Sequence, residues 1–257
     1  MKYITLTLAL LITSLSFAQQ KINAKDLLSD IKSGKDINVT NATINGVLDL
    51  TYMDSKLPSL PKRKRWWNNG GSNTVEEQIE GKISFINCVF NDDVLAYIPD
   101  EDSGYTFVAN FEDNVAFKNC TFKNKAMFKY SDFEKDANFY GTKFLEDNTF
   151  KYAKFDQNIT FENTLFDKPA TFKYAEFRNY ISFANSVFKE SATFKYSKFK
   201  DGVSFNNVRF EEDLNIKYTK VNGEFDIKNM EVAYDIDSKY TKINGKSFSK
   251  YLLKSKQ

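Results

Sequence analysis

A chain of 257 residues with 36 basic and 34 acidic side chains, net charge +2, has room for one large domain or two small ones. It carries no broad basic field for nucleic acid and no acidic imitation of one. Phe is common at 25 residues beside 14 Tyr, and His is absent, which excludes the usual general base, the Ser/His and Cys/His nucleophile pairs and most zinc or copper sites.

Residues 1–18 read as a signal peptide. Lys2 gives a positive start, Ile4 to Phe17 is an apolar run too short for a comfortable membrane span, and Ser16-Phe17-Ala18 fits cleavage before Gln19. No Cys follows for a lipid anchor and no second apolar span appears, so export to a periplasmic or extracellular location is expected. Residues 19–36 predict a capping helix from Asn23 to Ser33. Asn23 is the N-cap with Asp26 three on, Ile22 and Leu27 form a staple, and Gly34 is the stop.

From residue 37 to 246 a repeat dominates. Cut from Val115, it runs in eleven-residue units such as AMFKYSDFEKD, NTFKYAKFDQN and ATFKYAEFRNY. The third and eighth positions are apolar, Phe in the first nine units, and the sixth is small: Cys120, Ser131, Thr142, Ala153, Thr164, Ala175, Ser186, Ser197. A helix also completes three turns in about eleven residues, yet positions 1 and 3 then lie about 200° apart. Phe, Thr and Tyr are strand formers rather than the Ala, Leu, Glu and Lys of a long helix. A solenoid with two short extended segments per unit fits instead. The fifth position is Tyr in every second unit, with Asn or Gly between, so one coil takes two units, or 22 residues. Asn and Gly alternating at one site predict a corner with positive φ. Each buried Phe contributes roughly 1.5–3 kcal/mol, and four per coil should fill the tube and leave no internal cavity.

Two insertions interrupt the repeat. Residues 56–81 hold PKRKRWWNNGG and then TVEEQIEG, where Thr74 with Glu77 and a Gly81 stop predict a short helix. Residues 94–107 hold PDEDSG. Residues 247–257 are expected to close the last coil with Phe248, Tyr251, Leu252 and Leu253, as solenoids need covered ends.

Motifs such as ATFKYAEF and NVAFKNCTF resemble the pentapeptide-repeat family. The resemblance implies an all-β fold, a single-chain four-sided right-handed β-helix, with the central Phe and the residue two before it inward. Central residues here step by five and then six, so a corner or face of each unit should carry one extra residue. Members of that family that inhibit topoisomerases resemble DNA in shape and acidity. This chain lacks the acidity, and no nucleic-acid partner is expected.

Three surface features stand out. The Lys-Tyr column, including Lys151, Tyr152, Lys173, Tyr174, Lys195 and Tyr196, should face solvent as ladders. It offers either an aromatic and cationic stripe for a polysaccharide or anionic polymer, or self-support by stacked rings against repelling lysines. The run Lys62, Arg63, Lys64, Arg65, Trp66, Trp67 is the first choice of any short stretch for contact with a partner. Asp100-Glu101-Asp102, with Asp92 and Asp93, matches no complete calcium loop. Cys88 and Cys120 fall on adjacent coils at the small inward position. Parallel neighbours about 4.8 Å apart suit packed thiols better than a disulfide. The sequence predicts an exported, non-enzymatic scaffold or interaction module without cofactor or metal, whose partner is a protein or a cell-envelope polymer. A carbohydrate- or anionic-polymer-binding surface is the alternative.

Overall fold

The computed structural model describes residues 19–62 and 73–249. The expected signal peptide at residues 1–18, Arg63 to Trp67, and Tyr251, Leu252 and Leu253 lie outside them. The chain winds through four parallel sheets in turn, one short strand on each per coil, so the solenoid is four-sided. One coil runs through Val115–Lys118, Thr121–Phe122, Ala126–Met127 and Asp132–Phe133, on the first to fourth faces. Register advances by 22 residues without slip, as in Ala126↔Asn148↔Ala170↔Ala192 on the third face.

The interior is phenylalanine. Phe161, Phe166, Phe172 and Phe177 of one coil are fully buried. Each stacks nearly parallel on its equivalent in the next coil at 4.5–5.3 Å. Within the coil Phe172 meets Phe161 and Phe166 edge-on, at 82° and 83°. Both arrangements are the preferred aromatic geometries, so a single residue type satisfies neighbours along the axis and across it. The small sixth position is polar for a reason the pattern alone does not reveal. Ser186, Ser197 and Thr219 donate their hydroxyls to Phe161 O, Phe172 O and Phe194 O of the preceding coil at 2.6–2.7 Å.

The alternating steps of five and six residues have a structural origin. Five residues separate Phe128 from Phe133 across Tyr130 at φ 66°, and Phe117 from Phe122 across Asn119 at φ 53°. The following small residue closes each turn by an i+3 bond, such as Ala175 N to Phe172 O at 2.9 Å and Ser186 N to Phe183 O at 3.1 Å. A positive φ at the third residue marks a type II turn. The six-residue steps, Phe122 to Phe128 and Phe133 to Phe139, carry the extra residue at the two other corners.

At the N-terminal end, helix α1 (Ala24–Lys32) is capped by Asn23, whose side chain accepts from Lys25 N at 2.9 Å. Leu27 and Ile31 are buried over the first coil. Gln20–Asn23, just before it, is a strand on the second face paired with Ala42–Asn45, an element the sequence did not announce. After a short helix α2 (Met53–Lys56) and a 3-10 turn (Leu57–Ser59), the structure departs from expectation. The predicted helix at Thr74 is a strand, Thr74–Ile79, lying parallel to the long strand Tyr105–Phe111 over six residue pairs. The capping-box residues were a local signal, and a six-pair ladder outweighs it. Within the second insertion Val94–Leu95 keeps its place on the third face, paired with Leu48–Asp49 and Ala126–Met127. The excursion itself is a hairpin, Tyr97–Asp100 antiparallel to Tyr105–Val108. At the far end Lys246–Ser247 folds back antiparallel onto Lys242–Ile243, and buried Phe248 meets Phe225 at 6.1 Å.

The hydroxyl column yields a test. Ser197→Ala removes a buried bond and is expected to lower stability by about 0.5–1.5 kcal/mol in denaturant unfolding. Ser131, in the same column, is buried with its Oγ unpartnered. Ser131→Ala should be neutral or slightly stabilising. Equal losses at both sites would show that the hydroxyl bonds contribute nothing.

Candidate functional site: the lysine–tyrosine edge

The corner between the third and fourth faces is built by the FKY stretch. The inward Phe fixes the strand end, Lys follows, and Tyr takes the left-handed position of the turn. Tyr130, Tyr152, Tyr174, Tyr196, Tyr218 and Tyr240 have φ of 59–66°. Only the Asn/Gly corner was expected to be left-handed, but both corners are. A bulky side chain at positive φ is unusual, and the left-handed conformation costs roughly 1–2 kcal/mol per residue. The rings offset it. They stack face to face from Tyr130 to Tyr240 at 4.6–4.9 Å with interplanar angles of 1–20°. Each pair contributes about 0.5–1.5 kcal/mol, and an interior ring has two such neighbours. The backbone ladder also passes through the corner: Tyr174 N donates to Lys195 O of the next coil at 3.0 Å.

The ammonium groups of Lys151, Lys173 and Lys195 lie over the rings of their own tyrosines, at 5.3, 5.1 and 5.3 Å. Lys129 lies over the Tyr130 ring at 4.8 Å and also bonds Tyr97 Oη at 2.8 Å, and the Tyr97 ring meets Tyr130 at 5.8 Å, tilted by 55°. Tyr97 was not legible as a member of the column because it sits in an interruption of the repeat. Thr171 and Thr193, outward on the third face, accept at 3.4 Å from the backbone N of Lys173 and Lys195 and so hold the entry to the turn. They stand in the quoted ATFKY motif, and the signal was there to be read.

The charges of this edge differ from those beside it. On the fourth face Asp132 and Lys154 pair at 2.9 Å, Glu176 and Lys198 at 3.3 Å, and Asp156 and Arg178 at 3.0 Å. Lys200 also bonds Glu176, and this contact foremost holds the Glu176 carboxyl below its ordinary range. Along the lysine row Lys217 reaches Asp237 at 3.6 Å. Among the described residues no carboxylate lies within ion-pair distance of Lys151, Lys173 or Lys195. Burial, and then the charges of Lys129 and Lys173, pull the Lys151 ammonium below the ordinary lysine value.

Of the other sequence candidates, Lys62 borders a cleft of about 480 Å³ with Leu57, Pro61, Asp100 and Tyr105. Arg63, Lys64, Arg65, Trp66 and Trp67 lie outside the described residues. The segments flanking them are both tied to the hairpin, by Tyr105 Oη to Pro61 O at 3.0 Å and Asn73 Nδ2 to Gly104 O at 3.3 Å. The acidic candidates serve the backbone: Asp92 accepts from Gly46 N, Asp93 from Lys125 N and Asp100 from Ser103 N. Among the described residues no group of His, Cys, Asp and Glu is arranged to hold a metal ion. Cys88 and Cys120 are free buried thiols on adjacent coils. The hydrogen bond with Cys88, and burial, push the Cys120 thiol up. Its Sγ lies 3.4 Å from Phe85 O, the contact that Ser and Thr make elsewhere in the same column. No described helix is long and apolar enough to cross a membrane.

A closed core and regular outer ladders define a β-solenoid scaffold. The family described as pentapeptide repeats (9 copies) matches over residues 109–153, 128–176 and 172–220, and that part of the chain is an array of pentapeptide repeats. No curated protein and no solved structure matches the chain.

Two measurements probe the edge. Tyr174→Ala keeps the left-handed strain and loses two stacking partners, so it should cost about 1–3 kcal/mol. Tyr174→Asn suits that conformation and should cost less. If Asn is the worse of the two, backbone strain is not what the rings offset. For the lysines, the lowered folded pKa of Lys151 means the unfolded chain holds that proton more tightly. Its unfavourable contribution is present at neutral pH and is relieved as pH rises from the folded value toward the ordinary lysine value. Added salt screens the same repulsion. The stability difference between wild type and Lys151→Gln should therefore move in favour of wild type as salt rises. An unchanged difference would show that the row is not under repulsion.

Proposed function

We propose that the protein is an exported, non-enzymatic scaffold that presents its outer faces to another protein or to a cell-envelope polymer. The observation that carries this is the division of labour between inside and outside. The interior is filled by stacked phenylalanines, and the outer chemistry repeats with the coil. Several carboxylates of the repeat body, the groups a polysaccharide-cleaving β-helix would converge in a groove, are instead engaged with cations along the axis. Examples are Asp132–Lys154, Asp156–Arg178 and Glu190–Lys168. Export is supported by the charge, apolar run and cleavage site of residues 1–18.

Of the alternative surfaces, a sugar platform on the tyrosine faces is disfavoured, since each interior ring is covered on both sides by its neighbours. The unpaired lysines favour an anionic polymer. The loop remains the first short stretch to exchange, but an exchange must spare Thr74–Ile79, which is a sheet strand.

The test is crosslinking of the purified chain to cell envelopes, comparing wild type with a chain whose residues 63–72 are replaced by a Gly-Ser linker. Mass spectrometry of the exported protein accompanies it. The expected result is a recoverable envelope adduct, no release of new sugar ends, and an N-terminus at Gln19. Cleavage of envelope polysaccharide by the chain alone, or retention of residues 1–18 on an intracellular protein, would overturn the reading.

A further inference from the structure

We infer that the lysine–tyrosine edge binds a linear acidic polysaccharide lying along the solenoid axis, with one anionic group per coil held by Lys151, Lys173 and Lys195. This rests on the scaffold reading and names the partner of one of its edges.

The first observation is that this column alone keeps one sign. Position by position the fourth-face column beside it reads Asp132, Lys154, Glu176, Lys198 before ending in Lys220 and Lys242, and the next reads Glu134, Asp156, Arg178, Lys200 before Asn222 and Asn244. Opposite charges there meet across coils. The lysine column reads Lys129, Lys151, Lys173, Lys195, Lys217, Lys239. Lys129, at its start, donates to Tyr97, and Lys217 reaches Asp237. Among the described residues the ammonium groups of Lys151, Lys173 and Lys195 have no ion-pair partner and lie over their own tyrosine rings. A row of like charges at the strand spacing of about 4.8 Å is unfavourable by itself. The same row is complementary to a polymer with one negative charge per step.

The second observation concerns hydrogen bonds. The phenol groups of Tyr152, Tyr174 and Tyr196 have no hydrogen-bond partner among the described residues, and these side chains are partly exposed. Thr171 and Thr193 use their oxygens as acceptors, which leaves the O–H free to donate. The edge therefore offers an ammonium, a phenol and, at two coils, an alcohol per step, donors suited to carboxylate and hydroxyl groups.

The same features separate this ligand from other polyanions. Single-stranded nucleic acid binds by stacking bases on exposed aromatic faces, and these faces are consumed by the ring stack. An anionic membrane favours a basic surface with apolar side chains that insert, and the outward residues beside the lysines are Thr149, Thr171 and Thr193.

The experiment is calorimetric titration of the chain from Gln19 onward with polygalacturonate oligomers, at low and high salt. Neutral galactan, poly(dT) and anionic phospholipid vesicles serve as parallel probes. The variants are Lys173→Gln with Lys195→Gln, and, as a control on the neighbouring ion-paired column, Lys154→Gln with Lys198→Gln. Circular dichroism checks that each is folded. Expected are salt-sensitive binding of polygalacturonate alone and a loss of about fivefold per edge lysine, roughly 25-fold for the pair. The control pair should lose less than about threefold on the same scale. Equal loss in both pairs, equal or tighter binding of poly(dT) or vesicles, or no binding of polygalacturonate would each overturn the inference. None of these touches the scaffold reading, whereas cleavage of polygalacturonate would end that reading while leaving the edge as a binding site.

Discussion

The structure depends on the stacking of equal residues one coil apart. A lap of 22 residues returns each phenylalanine to the position above its predecessor, and the parallel rings at about 5 Å match the spacing of the backbone ladders. Neither could persist without the other. A lap one residue longer or shorter would turn inward rings outward along the whole strand, as any register slip in a sheet does. The inward hydroxyls of Ser186, Ser197 and Thr219 tighten this constraint, because each bonds a carbonyl of the coil before it and so fixes the register from inside.

The same repetition acts at the corners. Four corners must be turned in 22 residues, and two of them do it in the fewest residues by adopting a left-handed conformation. Asn is suited to that conformation, and on the other corner its side chains add an amide ladder, as between Asn207 and Asn185 at 3.1 Å. Gly141 interrupts it. A Cβ at Gly141 would lie 2.2 Å from Asn119 Oδ1, so the Asn119 amide fills the space that the glycine leaves. Tyr is not suited to the conformation, yet six consecutive coils use it. The rings that make this tolerable also place a phenol edge and an ammonium group at every step. A local backbone need thus becomes a continuous chemical stripe.

What was legible in the sequence follows from the same physics. A period repeated many times averages out local noise, so the coil length, the inward phenylalanines and the helical cap at Asn23 could all be read. Thr74–Ile79 was misread because a capping box is a four-residue signal, whereas its strand is dictated by Tyr105–Phe111, thirty residues further on. Gln20–Asn23 was missed for a related reason: four residues with no alternation gain their structure only from the strand they lie against. The left-handed tyrosines were hidden by a propensity argument. Asn and Gly announce positive φ and Tyr does not, although all three stood at the fifth position of the same unit. Position in the repeat was the stronger evidence. The lysine row itself was visible, but not that its neighbours are paired and its middle is not. That contrast requires knowing which columns lie side by side.

A solenoid is an architecture in which such a row can survive. In a compact globular domain an unfavourable surface charge is surrounded by neighbours from many parts of the chain, and one of them is readily of opposite sign. Here each outward residue sees mainly its equivalents above and below, so a single-sign column can be neutralised only from within itself or from the columns beside it. Asp237, opposite Lys217, shows that a carboxylate on the adjacent third-face column can do it. The corresponding positions beside Lys151, Lys173 and Lys195 are Thr171, Thr193 and Asn215. An acid at any of these would have the reach that Asp237 has. The stripe is thus neutralised at Lys217 and left positive at Lys151, Lys173 and Lys195, over coils where the phenylalanine stack below it is unbroken. A straight, rigid line of cations loses little conformational entropy when it meets a linear partner, and that is the physical advantage of building the row on this fold.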